Sequence, residues 1–528
     1  MIEKYLSKKK IFSLFVIFGL YCSIIIGVSY DEFFHIENGQ TRLKYLLSLG
    51  YYDYYYPIPH LKYYPGFYDT FSALIVSAFP KSFYYEGHHI INFIIGLSGL
   101  IALKKFVKMI FNKKVSDIFF VLSFFMPVFF GHLGFNPKDT IIASSNFWVL
   151  YYTIKYLKSD LNTDRSSIAT KIGIFIGIGA GVRIVFLATL IPIIIFFFLE
   201  FFFLKKISKN CRFRNLFTDL AKSILISYLI IILCWPDAHH NILTQPFNLF
   251  LDEISSLDVL QGVQVSYFAG SFYNTANTPW HYLVTNLFFK VPIFYLLLFL
   301  FSFLYFFQIK KIFRKKDLFV YFYFFSISLL VVPICISILA GTKIHDGLRY
   351  FLFLIPIFNI FPAIFVYYLL FDKKVIFKKL IVATLSPFLI YFIVSFITIT
   401  PYQYTYLNLL NKILLNKNSF ENDYWGSSVK EIVKKFVELE NIAASTKIAS
   451  CGLNDDVLEY YLNKSGIKNY IKTDMNSNFD YAVLINRAIY HQQNQGVKNQ
   501  TCFQKFENKE NLYVLSKNSL VLSKIVKY

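Results

Sequence analysis

The sequence predicts a polytopic α-helical membrane protein with about eleven transmembrane helices and a small C-terminal α/β extracytoplasmic domain. Three observations predict this fold: long apolar runs, basic clusters between those runs, and a change to polar composition near Thr400. Of the 528 residues, 56% are hydrophobic, and the mean hydropathy is +0.48. Runs such as Phe217–Trp235 and Tyr282–Phe307 reach the roughly 20 residues that a helix needs to cross the hydrocarbon. Because backbone groups in lipid must bond within the segment, these runs are expected to be helices.

The net charge of +21 indicates how the helices are oriented. The segment from Pro236 to His281 contains four acidic residues and no Lys or Arg, whereas many basic residues form short clusters elsewhere. This is the positive-inside pattern, so the charge indicates membrane topology and not a nucleic-acid partner. The clusters, expected in the cytoplasm, are Lys8–Lys10; Lys104, Lys105, Lys108, Lys113 and Lys114; Lys205, Lys206, Lys209, Arg212 and Arg214; Lys310, Lys311, Arg314, Lys315 and Lys316; and Lys373, Lys374, Lys378 and Lys379.

This orientation assigns the helices and two long outer loops, about 30–87 and 236–280. The first loop contains the apolar but short segment Phe67–Pro80, which is expected to lie in the outer interface. The stretch 171–204 is too long for one span, so we expect two that turn near Arg183–Leu190. The predicted spans are about 11–29, 88–107, 117–133, a fourth that ends near 156, the two within 171–204, 217–235, 281–308, 318–340, 349–371 and 379–399.

Residues 1–400 are expected to form the transmembrane domain, and residues 401–528 the outer α/β domain. In the outer domain, periodicity predicts a helix over Ser427–Leu439. A second helix is expected at Asp455–Leu462. Short strands are expected at Lys447–Cys451, Tyr481–Ile485 and Leu512–Leu515.

Cys451 and Cys502 are the only cysteines in this polar region, where oxidation is possible. We expect two free thiols, with a disulfide as the less favoured alternative. No spacing typical of a zinc site is present. The adjacent pairs His88-His89 and His239-His240 are expected at the interface rather than on a metal, because neighbouring helical side chains point in different directions. No metal ligand is assigned, and a divalent metal is left open as a cofactor.

Ionisable residues collect on the outer side, at the ends of the predicted helices. Asp31 and Glu32 directly follow the first helix, where two carboxylates could simply be solvated. Short outer turns are expected to lack Lys and Arg, but the predicted ones contain Lys138, Arg183, Lys343 and Arg349. Charges beside apolar spans are costly and usually functional. Cations suit the binding of a phosphate or diphosphate, and a carboxylate suits proton removal from an acceptor hydroxyl. The group consists of Asp31, Glu32, Lys138, Asp139, Arg183, Lys343, His345, Asp346 and Arg349.

Several motifs resemble those of a known family. They are Asp31-Glu32; Gly131-His132-x-x-Phe135-Asn136-Pro137-Lys138-Asp139-Thr140; Tyr273 to Trp280; Asp346-Gly347-x-Arg349-Tyr350-Phe351-Leu352-Phe353-x-x-Pro356; Pro401 to Asn408; and Asp423 to Ser428. Together, from about residue 30 to 430, they resemble the GT-C glycosyltransferases. The branch is the bacterial one, similar to dolichyl-phosphate-mannose protein mannosyltransferases (glycosyltransferase family 39) and aminoarabinose transferases.

The resemblance implies a polyprenyl-phosphate sugar as donor. The expected acceptor is a hydroxyl of a lipid, glycan or protein, and direct displacement of the lipid phosphate would invert the anomeric carbon. The resemblance implies Asp31 as the catalytic base with Glu32 assisting, although the two could exchange roles. Asp139 would be the second acidic residue, and Lys138 and Arg349 would meet the lipid phosphate. The further candidates for binding the donor phosphate are Arg183, Lys343 and His345.

The expected location is the bacterial inner (cytoplasmic) membrane, with the active face and the C-terminus periplasmic or extracellular because the basic clusters are assigned to the cytoplasm. Two departures from the family matter. The luminal β-trefoil insert of the eukaryotic protein mannosyltransferases is missing, and the second outer loop is short. A protein acceptor is therefore not implied, and the acceptor stays open.

Four more residues are candidates for lining the site or contacting the acceptor: His132, Asn136, Tyr273 and Asp423. For Asp423, docking of the C-terminal region onto the membrane domain is the favoured alternative. A different class of function is a transporter or flippase of a lipid-linked anionic glycan. That class would be expected to bury charges near the membrane midplane and to show repeat symmetry. Here the charges lie at one face, and no internal repeat is evident. A third class, a non-catalytic assembly factor, leaves the Asp31 cluster unexplained.

Overall fold

The computed structural model describes residues 8–159, 162–208, 213–260, 264–372, 375, 377–415, 418–489 and 499–528. The start of the chain, with its expected cytoplasmic N-terminus, and the basic residues Lys209, Arg212, Lys373 and Lys374 lie outside the described residues.

Helices make up most of the described residues among the first four hundred, in agreement with the predicted fold class. In chain order they are α1 Lys8–Ile25, α2 Tyr30–Leu47, α3 Phe67–Val76, α4 Tyr84–Ile110, α5 Lys113–Phe124, α6 Pro127–Leu133, α7 Asp139–Lys158, α8 Asn162–Val182, α9 Phe186–Thr189, α10 Ile191–Phe198, α11 Phe213–Leu233 and α12 Gln245–Leu260. After the hairpin β1 Val265–Phe268 and β2 Ser271–Asn274 come α13 Tyr282–Lys290, α14 Ile293–Leu304, α15 Phe306–Ile312, α16 Lys316–Leu339, α17 Leu354–Phe358, α18 Ile360–Phe371 and α19 Lys378–Thr398.

Several of these helices are apolar and long enough to cross a membrane, so the chain is a multi-pass membrane protein. Within the described ranges there are five such helices, or up to eight if each of three bent helix pairs is one span. The exact number of spans, about eleven, stays a prediction. The five are Lys81–Ile110, Asn215–Leu233, Lys316–Leu339, Leu354–Phe371 and Lys378–Thr398.

The helices run between two ends of the molecule. At one end, Lys158 Nζ donates to Met109 O at 3.1 Å, and the Phe111 and Phe313 rings lie 6.0 Å apart. This end therefore joins loops that carry basic clusters, and we call it the basic end. The opposite end contains the starts of α2 and α7, and we call it the site end.

One helix was not expected from the sequence. α2 lies within the predicted outer loop 30–87 and meets α1 at an angle of 90°. Its buried face is polar, with His35, Asn38 and Arg42, so apolar periodicity could not reveal it. The short predicted helix that follows in this loop is present as α3.

Two predicted straight spans are broken. The bend between α5 and α6 is 72°, and the bend between α13 and α14 is 110°. Pro127 begins α6, and Pro292 directly precedes α14. Proline lacks the N–H that would continue a helix and clashes with the preceding turn, which accounts for both breaks.

The chain ends in a small domain built on a five-stranded sheet. Its elements are α20 Leu409–Leu414, α21 Val429–Leu439, β3 Lys447–Cys451, α22 Asp455–Lys464, β4 Ile471–Lys472, β5 Tyr481–Ile485, β6 Ala488–Ile489, β7 Gln500–Thr501, α23 Cys502–Lys505, β8 Glu510–Lys517 and β9 Leu520–Lys527. The order β4-β3-β5-β9-β8 is parallel from β4 to β5 and antiparallel beyond. The segment from α21 to β9 is called the C-terminal domain below. The predicted helices and strands are all present in it.

Cys451 and Cys502 form a disulfide, so the expectation of two free thiols was wrong. Cys451 is the last residue of β3, and Cys502 is the first residue of α23. Both side chains are buried in the same apolar cluster on one face of the sheet. The sequence separation of 51 residues concealed this proximity, which depends on the order of the strands.

The C-terminal domain and the segment before it contact the helices at the site end. Tyr30 N donates to Trp425 O at 2.9 Å, and Val28 N donates to the Tyr461 hydroxyl at 2.8 Å. Lys430 Nζ donates to Ile24 O at 3.0 Å. These bonds fix the short linker between α1 and α2, and therefore the position at which α2 begins.

Candidate active site

The first turn of α2 separates two neighbouring carboxylates. Ser29 and Glu32 form a capping box, in which each side chain accepts a hydrogen bond from the other residue's backbone N–H. The second Glu32 oxygen lies 2.8 Å from Nε2 of His89. Both oxygens of Glu32 are thus used, one in the helix cap and one in the contact with His89 of α4. The Asp31 side chain points toward other partners. Both residues lie in a helix, not in the loop that the sequence suggested.

Asp31 lies between two cations from distant parts of the chain. Its Oδ2 atom is 2.8 Å from Lys138 Nζ and 2.9 Å from Arg349 Nη1. Burial opposes ionisation, but Lys138 and Arg349 hold the pKa of Asp31 well below its usual range. Oδ1 accepts no hydrogen bond from any residue that the structure describes. The side chain is 22% exposed, so this oxygen is accessible to a substrate.

The turn before α7 is built by one asparagine. Asn136 Oδ1 accepts the backbone N–H groups of Lys138 and Asp139, at 3.1 and 2.9 Å. Its Nδ2 donates to Asp139 Oδ2 at 3.0 Å. Nδ2 also lies 3.2 Å from Nδ1 of His132, whose Nε2 is 3.0 Å from the Tyr424 hydroxyl. Asn136 and His132 are completely buried, so they support the site from behind.

Arg349 is held on several sides. Its Nη2 atom lies 3.1 Å from Asp346 Oδ2 and 2.9 Å from His345 Nε2, and it donates to the Tyr350 hydroxyl at 2.7 Å. The guanidinium also packs 5.0 Å from the centre of the Trp425 ring. These contacts leave Nη1 directed at Asp31.

His345 and Asp346 shape the loop that precedes Arg349. Burial lowers the pKa of His345 to about 4. The charge of Asp346 opposes this shift, and the charge of Arg349 adds to it. The ring is therefore neutral at neutral pH and can accept a hydrogen bond from Arg349. Asp346 has a φ of +55° and is followed by Gly347 at +70°. A non-glycine residue in this region is uncommon and is often found at functional sites.

A cavity of about 410 Å³ adjoins these charges. Arg183, Lys343 and Asp139 contribute its Arg, Lys and Asp side chains. Arg183 Nε lies 3.6 Å from Glu253 Oε1, and burial raises the pKa of Glu253 although Arg183 opposes this. The rest of the wall is largely apolar and includes Ile142, Val185, Phe186, Pro333, Ile336, Ile344, Phe351, Leu352 and Phe353.

Tyr273 and Asp423 lie at the edges of the site and have structural partners. The Tyr273 hydroxyl, from β2, donates to Ile344 O at 2.7 Å and holds the loop before His345. Asp423 accepts the backbone N–H groups of Ser427 and Ser428, each at 3.0 Å. Asp423 is 1% exposed, and its docking role stays a prediction.

Two groups escaped prediction from the sequence. Arg487 of the C-terminal domain lies 3.4 Å from Asp346 Oδ1, and no local pattern in the sequence marks it. His35 Nδ1 lies 2.8 Å from Asp69 Oδ2. His35 is one helical turn beyond Asp31, a relation that only a prediction of α2 would have shown. Within the described ranges, no group of three His, Cys, Asp or Glu side chains is arranged to hold a metal ion.

Comparison with known proteins gives a fold. No protein-family model and no curated protein matches the sequence. ArnT from Cupriavidus metallidurans bound to undecaprenyl phosphate matches with a TM-score of 0.51 and 11% identity over 98% of each chain, and its apo state gives the same values. The apo oligosaccharyltransferase from Archaeoglobus fulgidus has a TM-score of 0.44 and 13% identity over 92% of this chain and 70% of that one. ArnT is an aminoarabinose transferase and a GT-C glycosyltransferase, and this chain has its fold.

Proposed function

We propose that the protein is a membrane glycosyltransferase that moves a sugar from a polyprenyl-phosphate donor to an acceptor hydroxyl. The observation that carries the proposal is the carboxylate of Asp31, held between Lys138 and Arg349 with one oxygen left accessible. A base and two phosphate-binding cations are the groups that such a transfer requires. The known binding of undecaprenyl phosphate by ArnT, which shares the fold, supports a lipid-linked donor.

The cavity supports a donor with an apolar carrier. Its walls are mainly apolar, which suits an isoprenoid chain, while Arg183 and Lys343 suit the phosphate at the chain's head. Lys138 and Arg349 would meet the same phosphate on the side facing Asp31. The cations would then stabilise the charge that develops on the departing phosphate. Asp139, fixed by Asn136 and also lining the cavity, adds a negative charge that acts on Arg183 and Arg349.

Donor binding itself activates the base. In this structure both cations act on one oxygen of Asp31, so the carboxylate is strongly stabilised and only weakly basic. A bound phosphate shares Lys138 and Arg349, and the basicity of Asp31 rises. Asp31 Oδ1 then takes the proton of the acceptor hydroxyl. The acceptor oxygen forms its bond to the anomeric carbon as the bond to the lipid phosphate breaks, which inverts that carbon.

We also propose the arrangement of the protein in the cell. Residues 1–400 form the catalytic transmembrane domain, residues 401–528 form an extracytoplasmic domain, and the site end faces the periplasm of a bacterial inner membrane. The basic clusters support this orientation. Reporter fusions at positions 115 and 312 should be cytoplasmic, and fusions at positions 260 and 528 external. A cytoplasmic C-terminus would refute the orientation.

Two experiments test the function. Lipid extracts from cells lacking the protein should accumulate the sugar-phospholipid donor, which identifies the sugar and the carrier. Purified protein in vesicles should then release free polyprenyl phosphate as the sugar joins the acceptor, and the Asp31→Asn variant should not. A flippase would move the donor across the bilayer without breaking its sugar–phosphate bond. Movement of intact donor with no released polyprenyl phosphate would therefore replace the proposal with the transporter alternative.

A further inference from the structure

We propose that Arg487 of the C-terminal domain is a positioning residue of the active site, kept in place by the Cys451–Cys502 disulfide. The inference deepens the proposed function and rests on it. It makes the C-terminal domain a working part of the catalytic centre rather than a separate appendage.

A line of alternating charges joins the C-terminal domain to the catalytic carboxylate. Arg487 Nη2 lies 3.4 Å from Asp346 Oδ1, and Asp346 Oδ2 lies 3.1 Å from Arg349 Nη2. Arg349 Nη1 in turn lies 2.9 Å from Asp31. The Asp346 side chain is only 2% exposed, so water screens its charge poorly. Each member of the line therefore affects the next.

Arg487 balances the side of Asp346 that Arg349 does not reach. Without Arg487, Arg349 would be the main cation left to compensate this buried carboxylate. Arg349 would then be drawn toward Asp346 and away from Asp31 and the donor phosphate. Asp346 also has a φ of +55°, a conformation that persists only when the surroundings enforce it. Arg487 is one of the contacts that enforce it.

The backbone of Arg487 is packed against the disulfide. Its carbonyl accepts the N–H of Cys502 at 2.9 Å, and its Nη1 donates to Tyr424 O at 2.5 Å. Gly452 directly follows Cys451 and has a φ of +79°. A Cβ added at Gly452 would lie 2.9 Å from Arg487 Cβ and 3.1 Å from Cys502 Sγ. The backbone and Cβ of Arg487 therefore lie against Cys502 and against Gly452, the residue next to Cys451.

The first test is kinetic and uses the full-length protein in lipid nanodiscs with its sugar-phospholipid donor. Arg487→Met should raise the donor KM and lower kcat, for a combined loss of about 10- to 100-fold in kcat/KM, the usual effect of losing a charged partner. Arg487→Lys should recover most of this loss because it keeps the charge. Lys517→Met is the matched control, since it removes a cation of the same domain that pairs with Glu431 at 2.9 Å and should stay at the wild-type value.

A purely structural role makes a different prediction. It would lower the melting temperature of Arg487→Met but leave KM and kcat of the folded protein unchanged, and Arg487→Lys would then restore nothing measurable. Wild-type kinetics in Arg487→Met would overturn the proposal. A failure of the proposed function is distinguishable, because it would appear as absent transfer in the wild type or as full activity in Asp31→Asn.

The second test addresses the disulfide. The double variant Cys451→Ser/Cys502→Ser should lose activity in the same direction as Arg487→Met. If the disulfide acts through Arg487, the same double variant in an Arg487→Met background should cause no further loss, because the contact that it protects is already gone. Equal losses in both backgrounds would show that the disulfide acts elsewhere and would overturn this part of the proposal.

Discussion

Asp31 and Glu32 are adjacent in the sequence, yet they occupy two different regions of the molecule. The Glu32 carboxylate contacts the backbone N–H of Ser29 and the ring of His89, and its side chain is 3% exposed. The Asp31 carboxylate faces Lys138 and Arg349, with its side chain 22% exposed. In the closed region around Glu32, both carboxylate oxygens have partners and are shielded from solvent. In the region around Asp31, one oxygen is accessible and the other is shared by two cations.

The difference follows from helix geometry. Successive side chains on a helix point in directions about 100° apart, so α2 directs one carboxylate toward α4 and the other toward α7 and the Arg349 loop. The comparison teaches that a pair of acidic residues in a motif is not one functional unit. In this protein we assign the chemistry to Asp31 and the placement of α2 to Glu32.

The largest expected effect comes from the accessible carboxylate. Asp31→Asn is nearly isosteric and should leave the protein folded with its donor still bound, since Lys138 and Arg349 remain. Its turnover should fall by about two to four orders of magnitude, the usual contribution of a general base. Transfer assays with purified protein measure this effect, and Glu32→Gln in the same assay should lose less than about tenfold.

The outcomes separate the two carboxylates. A larger loss in Glu32→Gln than in Asp31→Asn would reverse the roles assigned to the two regions. Near-normal turnover in both variants would remove the pair from the mechanism and favour the transporter alternative.

The next effect concerns the cations around Asp31. Arg349→Ala should weaken donor binding and slow the chemical step, together by about 100-fold or more, because a group that stabilises the leaving phosphate is lost. Lys104→Ala is a matched control at the basic end, where Lys104 pairs with Asp117 at 3.0 Å. Donor titration and single-turnover rates should change only in Arg349→Ala. Unchanged donor affinity in that variant would remove Arg349 from the phosphate site.

Much of this arrangement followed from the sequence, and what did not has physical reasons. Apolar length predicted the helical class, and the departures of Lys138, Arg183 and Arg349 from the positive-inside pattern marked the group of charges. The structure brings Lys138 and Arg349 against Asp31, whereas Arg183 pairs with Glu253. The family resemblance implied only that Lys138 and Arg349 meet the lipid phosphate. The distance of more than 300 residues between Asp31 and Arg349 gives no local signal.

The missing parts depend on tertiary contacts. α2 carries a polar buried face, so hydrophobic periodicity could not reveal it. Arg487 and the disulfide depend on the order in which the strands of the C-terminal sheet pair. Strand order reflects packing between segments far apart in the chain, and a single sequence contains no direct record of it.

A smaller effect appears in the pH dependence of turnover. Burial opposes ionisation of Asp31, but Lys138 and Arg349 outweigh it, so its pKa lies well below the usual range. Lys138→Met removes one of these cations, and the pKa of Asp31 rises. Because the ionised carboxylate is the active form, activity is lost as the pH falls through this pKa. The acid limb of the pH profile should therefore move to higher pH in the variant.

The control is the pH profile of turnover in Lys104→Ala, and its acid limb should coincide with that of the wild type. An acid limb that stays in place in Lys138→Met would mean that another group controls the low-pH loss. In that case the ion pair seen at Asp31 would have no bearing on the protonation step.

The smallest effect on turnover, and a distinct effect on stability, is expected at the closed region. Glu32→Gln retains a side-chain oxygen for the cap but leaves buried His89 without its charged partner, which costs about 1–3 kcal/mol. The melting temperature of the purified protein should fall, while Asp31→Asn should change it less because the Asp31 side chain is partly exposed. A cycle with His89→Gln tests the cause: the double variant should be less destabilised than the sum of the single variants, since each single change leaves one buried group unpaired. Additive losses would show that Glu32 and His89 act independently, and the closed region would then owe its stability to the capping box alone.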